Sequence, residues 1–208
     1  MRVTNKVLPL AMMAAALLIT GEQAQAQFRK PQLGIYGGGT LPLGDLKDDT
    51  NTGWHAGGLL KARVTGSIDA RLDVAYAKFG SKEFNLGTAT VNSESNLLFG
   101  TLNAELNLGP DSAAYPGDNS ISPYITAGPG VYRLDFEATC SGVCTGFNGD
   151  AESTMKVGVN IGAGANIPLR GFHTFAEVRY HRFSAEFPST GEDGSASMLT
   201  ASAGVKFR

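Results

Sequence analysis

The chain has 208 residues, 27 of them glycine, with 17 basic residues, 19 acidic residues and a formal net charge of -2. This near balance excludes a nucleic-acid binder held by phosphate neutralisation, because no basic block is present. Two cysteines are too few for a disulfide-built fold or a four-cysteine zinc site. Glycine is far above its usual share of about 7%, which favours β-structure in a single domain.

The first residues have the organisation of a secretory signal peptide. Two basic residues precede an apolar run over residues 7–19, and the small residues Ala24 and Ala26 follow it. The run is too short for a membrane-spanning helix, which needs about 20 apolar residues. We therefore predict a signal peptide over 1–26, cleaved after Ala26, and an exported domain over 27–208.

Eight segments of the exported domain alternate apolar and polar residues with the period of two that is typical of half-buried strands. In the third segment, for example, Leu72 and Val74 share one face while Arg71 and Asp73 share the other. Helical spacing is nearly absent. The eight predicted strands are 32–42, 53–64, 68–79, 95–108, 123–135, 154–167, 172–185 and 197–207.

The connections between these strands alternate in length. Three shorter ones, at 65–67, 109–122 and 168–171, fall on one rim. Four longer ones, at 43–52, 80–94, 136–153 and 186–196, fall on the other. This asymmetry predicts an all-β fold: a closed eight-stranded antiparallel up-and-down transmembrane β-barrel with short periplasmic turns and long external loops. The alternative is a secreted soluble barrel that binds a small apolar ligand, since it shows the same alternation with its apolar face inside.

The exported domain resembles the small eight-stranded outer-membrane barrels of Gram-negative bacteria, the OmpA/OmpX and opacity-type proteins. The resemblance rests on Pro123-Tyr124, on Gly128-Pro129-Gly130, on the stretch 157–167, on the run 177–181 and on the closing strand to Phe207. It implies an integral protein of the cell outer membrane. It also implies that Phe207 is the C-terminal aromatic read by the barrel-assembly machinery, although Arg208 follows it here where family members end on the aromatic residue.

In such a barrel the polar faces of the strands point into the lumen, which has room only for side chains. The nine charged residues assigned to the lumen are Lys61, Arg63, Asp69, Arg71, Asp73, Glu105, Glu177, Arg179 and Lys206. Buried ions need partners of opposite sign. We expect Glu105 and Glu177 each to contact an Arg or Lys of a neighbouring strand, with Arg71 and Arg179 as partners. The set is interpreted as a charge ladder that plugs the lumen; the alternative is a narrow porin-like ion path.

Cys140 and Cys144 lie four residues apart in the third long loop. An oxidising envelope favours a local disulfide between them. Free thiols are the alternative, and a metal site would need two further ligands that the neighbouring sequence does not offer.

A lipid-modifying outer-membrane enzyme is the catalytic alternative, with His181 and Ser184 as its candidate pair. A spacing of three places them on opposite faces of a strand, so they cannot share a proton. The glycine clusters do not form phosphate loops, because no helix follows any of them. We therefore predict no enzyme activity, no cofactor and no metal.

Acidic residues dominate the four long loops, and they form either a solvated surface or a site for divalent cations or a basic partner. These residues are Asp45, Asp48, Asp49, Glu83, Glu94, Glu137, Asp150, Glu152, Glu186, Glu192 and Asp193.

The predicted function is an integral outer-membrane barrel with a structural or surface-interaction role and with specificity in its loops. The predicted partners are membrane lipid and the assembly machinery, not nucleic acid; the protein is predicted to be a monomer, and the loop partner stays open.

Overall fold

The computed structural model describes residues 31–85, 89–109, 121–142, 153–169, 172–186 and 193–207. The predicted signal peptide and Arg208 lie outside these ranges.

Nine strands and one short helix make up the described part of the chain. Their bounds are β1 Gln32–Gly44, α1 Leu46–Asp49, β2 Asn51–Arg63, β3 Ile68–Gly80, β4 Lys82–Asn85, β5 Ala89–Asn107, β6 Ser122–Gly142, β7 Ser153–Leu169, β8 Phe172–Glu186 and β9 Asp193–Phe207. Within these ranges no helix is long and apolar enough to span a membrane.

Eight of the strands form one closed barrel. Their order around the wall is β3-β2-β1-β9-β8-β7-β6-β5, and pairing of β3 with β5 closes the ring. Every neighbouring pair is antiparallel. The predicted fold class is therefore confirmed. We call the rim at 63–68 the turn end, and the rim occupied by α1 and β4 the loop end.

All four segments predicted as long loops contain strand residues, and the extension is greatest in 80–94 and 136–153. Short β4 lies within 80–94 and pairs with the start of β5, and β5 continues to pair with β6 as far as Gly142. The sequence here is rich in Ser, Thr and Asn, as in the pairs Thr90 with Ser141 and Asn92 with Thr139. Asn and Ser are common in turns and loops, so the local composition favours a loop over a strand in these segments. The barrel wall thus continues past the predicted strand ends.

The outward face of the barrel is apolar. Leu33, Ile35, Leu102 and Val159 are among the large hydrophobic side chains that stay exposed. A soluble barrel would bury these side chains, whereas a transmembrane barrel presents them to lipid. The strand faces that the sequence predicts to point outward are the exposed faces in the structure. On the loop-end side, the outward rings of Trp54 and Tyr76 lie 6.2 Å apart, in keeping with the aromatic girdles of outer-membrane barrels.

Several inward glycines lie directly under aromatic rings. A Cβ atom on Gly204 would lie 2.6 Å from the Phe175 ring, and one on Gly164 would lie 2.6 Å from the Tyr124 ring. These rings therefore occupy the space that a side chain would otherwise fill. Close packing inside a narrow barrel accounts for part of the high glycine content.

Gly164→Ala is accordingly expected to destabilise the barrel by about 1–3 kcal/mol, because the added methyl group overpacks the lumen. It would also lie 2.5 Å from the Ala176 carbonyl oxygen. The matched control is Gly39→Ala, whose Cβ would meet nothing within 4 Å and which should be neutral or slightly stabilising. Urea unfolding in detergent micelles measures both; equal effects would contradict the packing described here.

Candidate functional site: the barrel lumen

All nine charged residues assigned to the lumen are buried inside the barrel, each with a relative exposure of 8% or less. They occupy the half of the lumen nearer the turn end. Their backbone positions come from five strands: β2, β3, β5, β8 and β9. Because these residues occupy inward-facing positions, the barrel brings together side chains that lie up to 145 positions apart in the sequence.

The part of this charge network nearest the turn end is centred on Lys61. Its Nζ atom lies 2.8 Å from Asp69 Oδ2 and 2.6 Å from Glu105 Oε1. The other oxygen of Asp69 accepts a 2.7 Å bond from Arg63 Nε. Both carboxylates are fully buried, and two or more cations or amides surround each of them.

The central part of the network is held by Arg71. Its guanidinium contacts Asp73 Oδ1 and Glu177 Oε2 at 2.7 Å each, and Glu105 Oε2 at 3.4 Å. Arg179 in turn lies 2.7 Å from Glu177 Oε1 and 3.4 Å from Asp73 Oδ2. Arg71 therefore joins Lys61 and its partners to the Arg179 pair in one continuous network.

Glu105 contacts Arg71 of the neighbouring strand β3, as expected, but its nearest cation and the strands of the Glu177 partners differ from the expectation. The closest cation to Glu105 is Lys61, at 2.6 Å, whereas Arg71 lies at 3.4 Å. Glu177 pairs with Arg71 and Arg179, as expected, but neither belongs to an adjacent strand. Arg71 reaches it across the lumen from β3, and Arg179 lies two residues along β8. In so narrow a barrel, long side chains reach opposite walls as easily as neighbouring ones.

Lys206 differs from the other four cations of the set. In the described part of the chain its Nζ atom donates to Asn166 Oδ1 and lies over the rings of Phe175, at 4.7 Å, and Tyr124, at 5.5 Å. Its ammonium group is thus held by an amide and by aromatic faces. Five cations and four carboxylates can therefore be buried together.

Neutral donors complete the network, and the sequence interpretation gave them no role in it. Asn103 Nδ2 donates to Asp73 Oδ2 at 3.0 Å, and Asn107 Nδ2 donates to Asp69 Oδ2 at 2.9 Å. The Tyr124 hydroxyl donates to Glu177 Oε2 at 3.0 Å. Buried carboxylates need several hydrogen bonds. An inward Asn or Tyr at the same height in the barrel as a buried carboxylate is therefore the sequence signal that could have identified these donors.

The half of the lumen nearer the loop end is apolar, which the sequence interpretation missed. We call this half the apolar cap; its buried residues include Leu46, Ala77, Phe79, Leu97, Phe99, Tyr132, Leu134, Phe183, Ala196 and Met198. The rings of Tyr132 and Phe183 stack with centroids 4.4 Å apart and planes 7° apart. On the outer side Leu46 of α1 is fully buried, and Lys82 donates to the carbonyl oxygens of Lys47 and Asp48.

Two histidines lie between the charge network and the apolar cap. His55 lies 3.0 Å from Thr40 Oγ1 and 2.8 Å from Ser202 Oγ. His181 lies 3.0 Å from the Tyr132 hydroxyl. Their ring nitrogens are thus engaged by hydroxyl groups. Ser184 is on the exposed face of β8 while His181 is buried, so these two side chains do not meet.

The remaining predicted residues lie at the ends of strands. Cys140 is near the end of β6 and is disulfide-bonded; Cys144 lies outside the described residues, so a bond between these two cysteines stays a prediction. Phe207 ends β9, pairs with Leu33 and points outward. Recognition of Phe207 by the assembly machinery also stays a prediction.

A closed barrel with lipid-facing Leu, Ile and Val and a charged interior defines an integral outer-membrane β-barrel. The chain belongs to the family described as outer membrane protein beta-barrel domain, which matches residues 10–207. The family resemblance and the outer-membrane location expected from it are thereby supported. The comparison with curated proteins returns no match.

Solved structures show the same fold. Neisserial surface protein A is 13% identical, with a TM-score of 0.54 over 86% of this chain and 97% of that one. A major outer membrane protein from Thermus thermophilus is 13% identical, with a TM-score of 0.51 over 86% of this chain and 100% of that one. At these identities the likeness concerns the fold alone.

Proposed function

We propose that this protein is a closed outer-membrane barrel with a structural or surface-interaction role, whose lumen carries no solute and whose loops hold its specificity. One observation supports the proposal most: inward side chains are buried in both halves of the lumen, those of the charge network in one half and those of the apolar cap in the other. A porin needs a continuous aqueous path, whereas the interior of an eight-stranded barrel is just wide enough for side chains to fill.

The two halves of the lumen oppose solute passage for different reasons. In the charge network, all four carboxylates bind cations of the same chain at 2.6–2.8 Å. An entering ion would have to break these pairs, which leaves uncompensated buried charge. In the apolar cap, the faces of the stacked Tyr132 and Phe183 rings and the side chain of Leu46 offer no hydrogen bonds to water.

The same geometry favours a non-catalytic role. Fold likeness does not decide catalysis, because function depends on a site and not on a fold. Of the candidate pair, His181 contacts Tyr132 inside the barrel while Ser184 faces outward. No proton can pass directly from Ser184 to His181, because the strand lies between them. The purified protein should therefore leave the mass of added membrane lipids unchanged, and Ser184→Ala should behave as the wild type.

Liposome swelling tests the closed-barrel proposal. Liposomes loaded with the refolded protein should not swell in an isotonic sugar solution, whereas liposomes that contain an open porin should. Heat-dependent mobility in gel electrophoresis verifies that the barrel is folded in the same preparation. Swelling at the rate of the porin control would replace the structural role with solute transport.

A further inference from the structure

The outward face carries a shallow apolar groove of about 490 Å³ that crosses the wall from β5 to β9. Its floor is low because Ala104, Ala127 and Ala163 lie among larger neighbours such as Ile125 and Ile161. Ala104 is paired directly with Ala127, and Ala163 with Ile125. Small residues on adjacent strands thus leave a continuous recess in a surface that otherwise projects Leu, Ile and Val.

Polar residues and a positive charge lie just beyond one end of the groove. Tyr180 and Leu199 line this end as a cross-strand pair, and the next outward pair towards the loop end is Arg182 with Ser197. The Tyr180 hydroxyl donates to Ser197 Oγ at 2.9 Å, and Arg182 Nη2 donates to Ser195 Oγ at 3.5 Å. Serine hydroxyls therefore lie beside an exposed guanidinium group.

Arg182 has no carboxylate partner among the described residues. It differs in this respect from the outward-facing Arg133, which pairs with Asp135 at 3.2 Å, and from the arginines of the charge network. An unpaired guanidinium group is a preferred binder of phosphate oxygens, because it offers several N–H donors in a planar fork. Charge and hydroxyl donors thus converge at the loop-side end of an apolar recess.

We propose that this groove binds an anionic membrane lipid, with one acyl chain in the recess and the headgroup phosphate on Arg182, Ser195 and Ser197. Arg182 lies four residues from the loop end of β8, as expected for a headgroup-level residue above a lipid-facing surface. A second copy of the chain fits less well, since it would bury Arg182 without an anion. The proposal rests on the membrane location, not on the closed lumen.

Native mass spectrometry of the refolded protein in detergent tests this site, with phosphatidylglycerol and phosphatidylcholine of identical acyl chains as probes. Wild-type protein should retain phosphatidylglycerol roughly tenfold more strongly. Arg182→Gln should remove that preference, whereas the control Arg133→Gln should keep it. Ala127→Leu should weaken retention of both lipids several-fold by filling the recess, whereas Ala56→Leu, at an exposed position on β2 outside the groove, should not.

Three results would overturn the proposal. The first is equal retention of the two lipids by the wild type. The second is a simple anion site without an acyl-chain contribution. Either of two observations would show it: Ala127→Leu retains phosphatidylglycerol as the wild type does, or inorganic phosphate displaces phosphatidylglycerol from the wild type. The third is a lipid-free dimer that Ala127→Leu dissociates, which would assign the groove to a second copy of the chain.

Discussion

Glu105→Ala is expected to lower the free energy of unfolding by about 3–5 kcal/mol, because it removes one of the four buried anions and leaves the positive charge of the lumen only partly compensated. Glu105 is fully buried and lies 2.6 Å from Lys61 Nζ and 3.4 Å from Arg71 Nη1. After its removal Lys61 keeps Asp69, and Arg71 keeps two other carboxylates. Charge balance in the lumen nevertheless becomes five cations to three anions. Urea titration of the refolded protein, followed by tryptophan fluorescence, measures the loss.

The same strand offers the matched control. Glu94 on β5 pairs with Lys78 at 3.2 Å, but these two side chains are 46% and 44% exposed. Water screens such a pair, so Glu94→Ala should cost no more than about 1 kcal/mol. If Glu105→Ala and Glu94→Ala cost the same, then the lumen is hydrated enough to screen its charges and the network does not act as a dry plug.

Leu102→Arg is expected to destabilise the inserted barrel by about 2–4 kcal/mol, because it places a charge on the lipid-facing wall in mid-strand. Leu102 is 51% exposed and points outward from β5, which lies between β3 and β6 in the wall. Equilibrium unfolding in phospholipid vesicles measures the cost, since detergent micelles would let the arginine reach water too easily.

Leu108→Arg is the control for this substitution. Leu108 is 57% exposed and follows the last residue of β5, at the turn end. The cost of arginine falls to about 0–1 kcal/mol near the membrane surface. If both variants tolerate arginine equally, Leu102 does not face the bilayer and the parity of β5 is inverted.

Where the two faces of a strand differ in polarity, the sequence alone predicts both the strand and its orientation. Arg71 and Asp73 alternate with Leu72 and Val74, and the charged side chains are the buried ones. Closure of the barrel follows from the number and length of such strands and from the alternation of short and long connections. The nine lumen charges could be named in advance for the same reason.

Periodicity loses this power where the two faces are alike. Towards the loop end of β3, inward Ala75, Ala77 and Phe79 follow Arg71 and Asp73 on the same face. Their outward neighbours are Tyr76 and Lys78, so the pattern does not signal an apolar cap. The partners of Glu177 are likewise beyond sequence reasoning. Its contact with Arg71 crosses the lumen, and only the diameter of the closed barrel determines which opposite side chains meet.

Conductance of the wild-type monomer in planar lipid bilayers tests the central claim, a lumen closed by its own side chains, most directly. A lumen closed in this way predicts no steady current in concentrated KCl, because ions would have to separate Arg71 from Asp73 and Glu177 and then cross the apolar cap. Gel mobility and proteolysis of the same sample establish that folded barrels are inserted. Stable, long-lived channels from that monomer would contradict the claim and show that the charges line a pore.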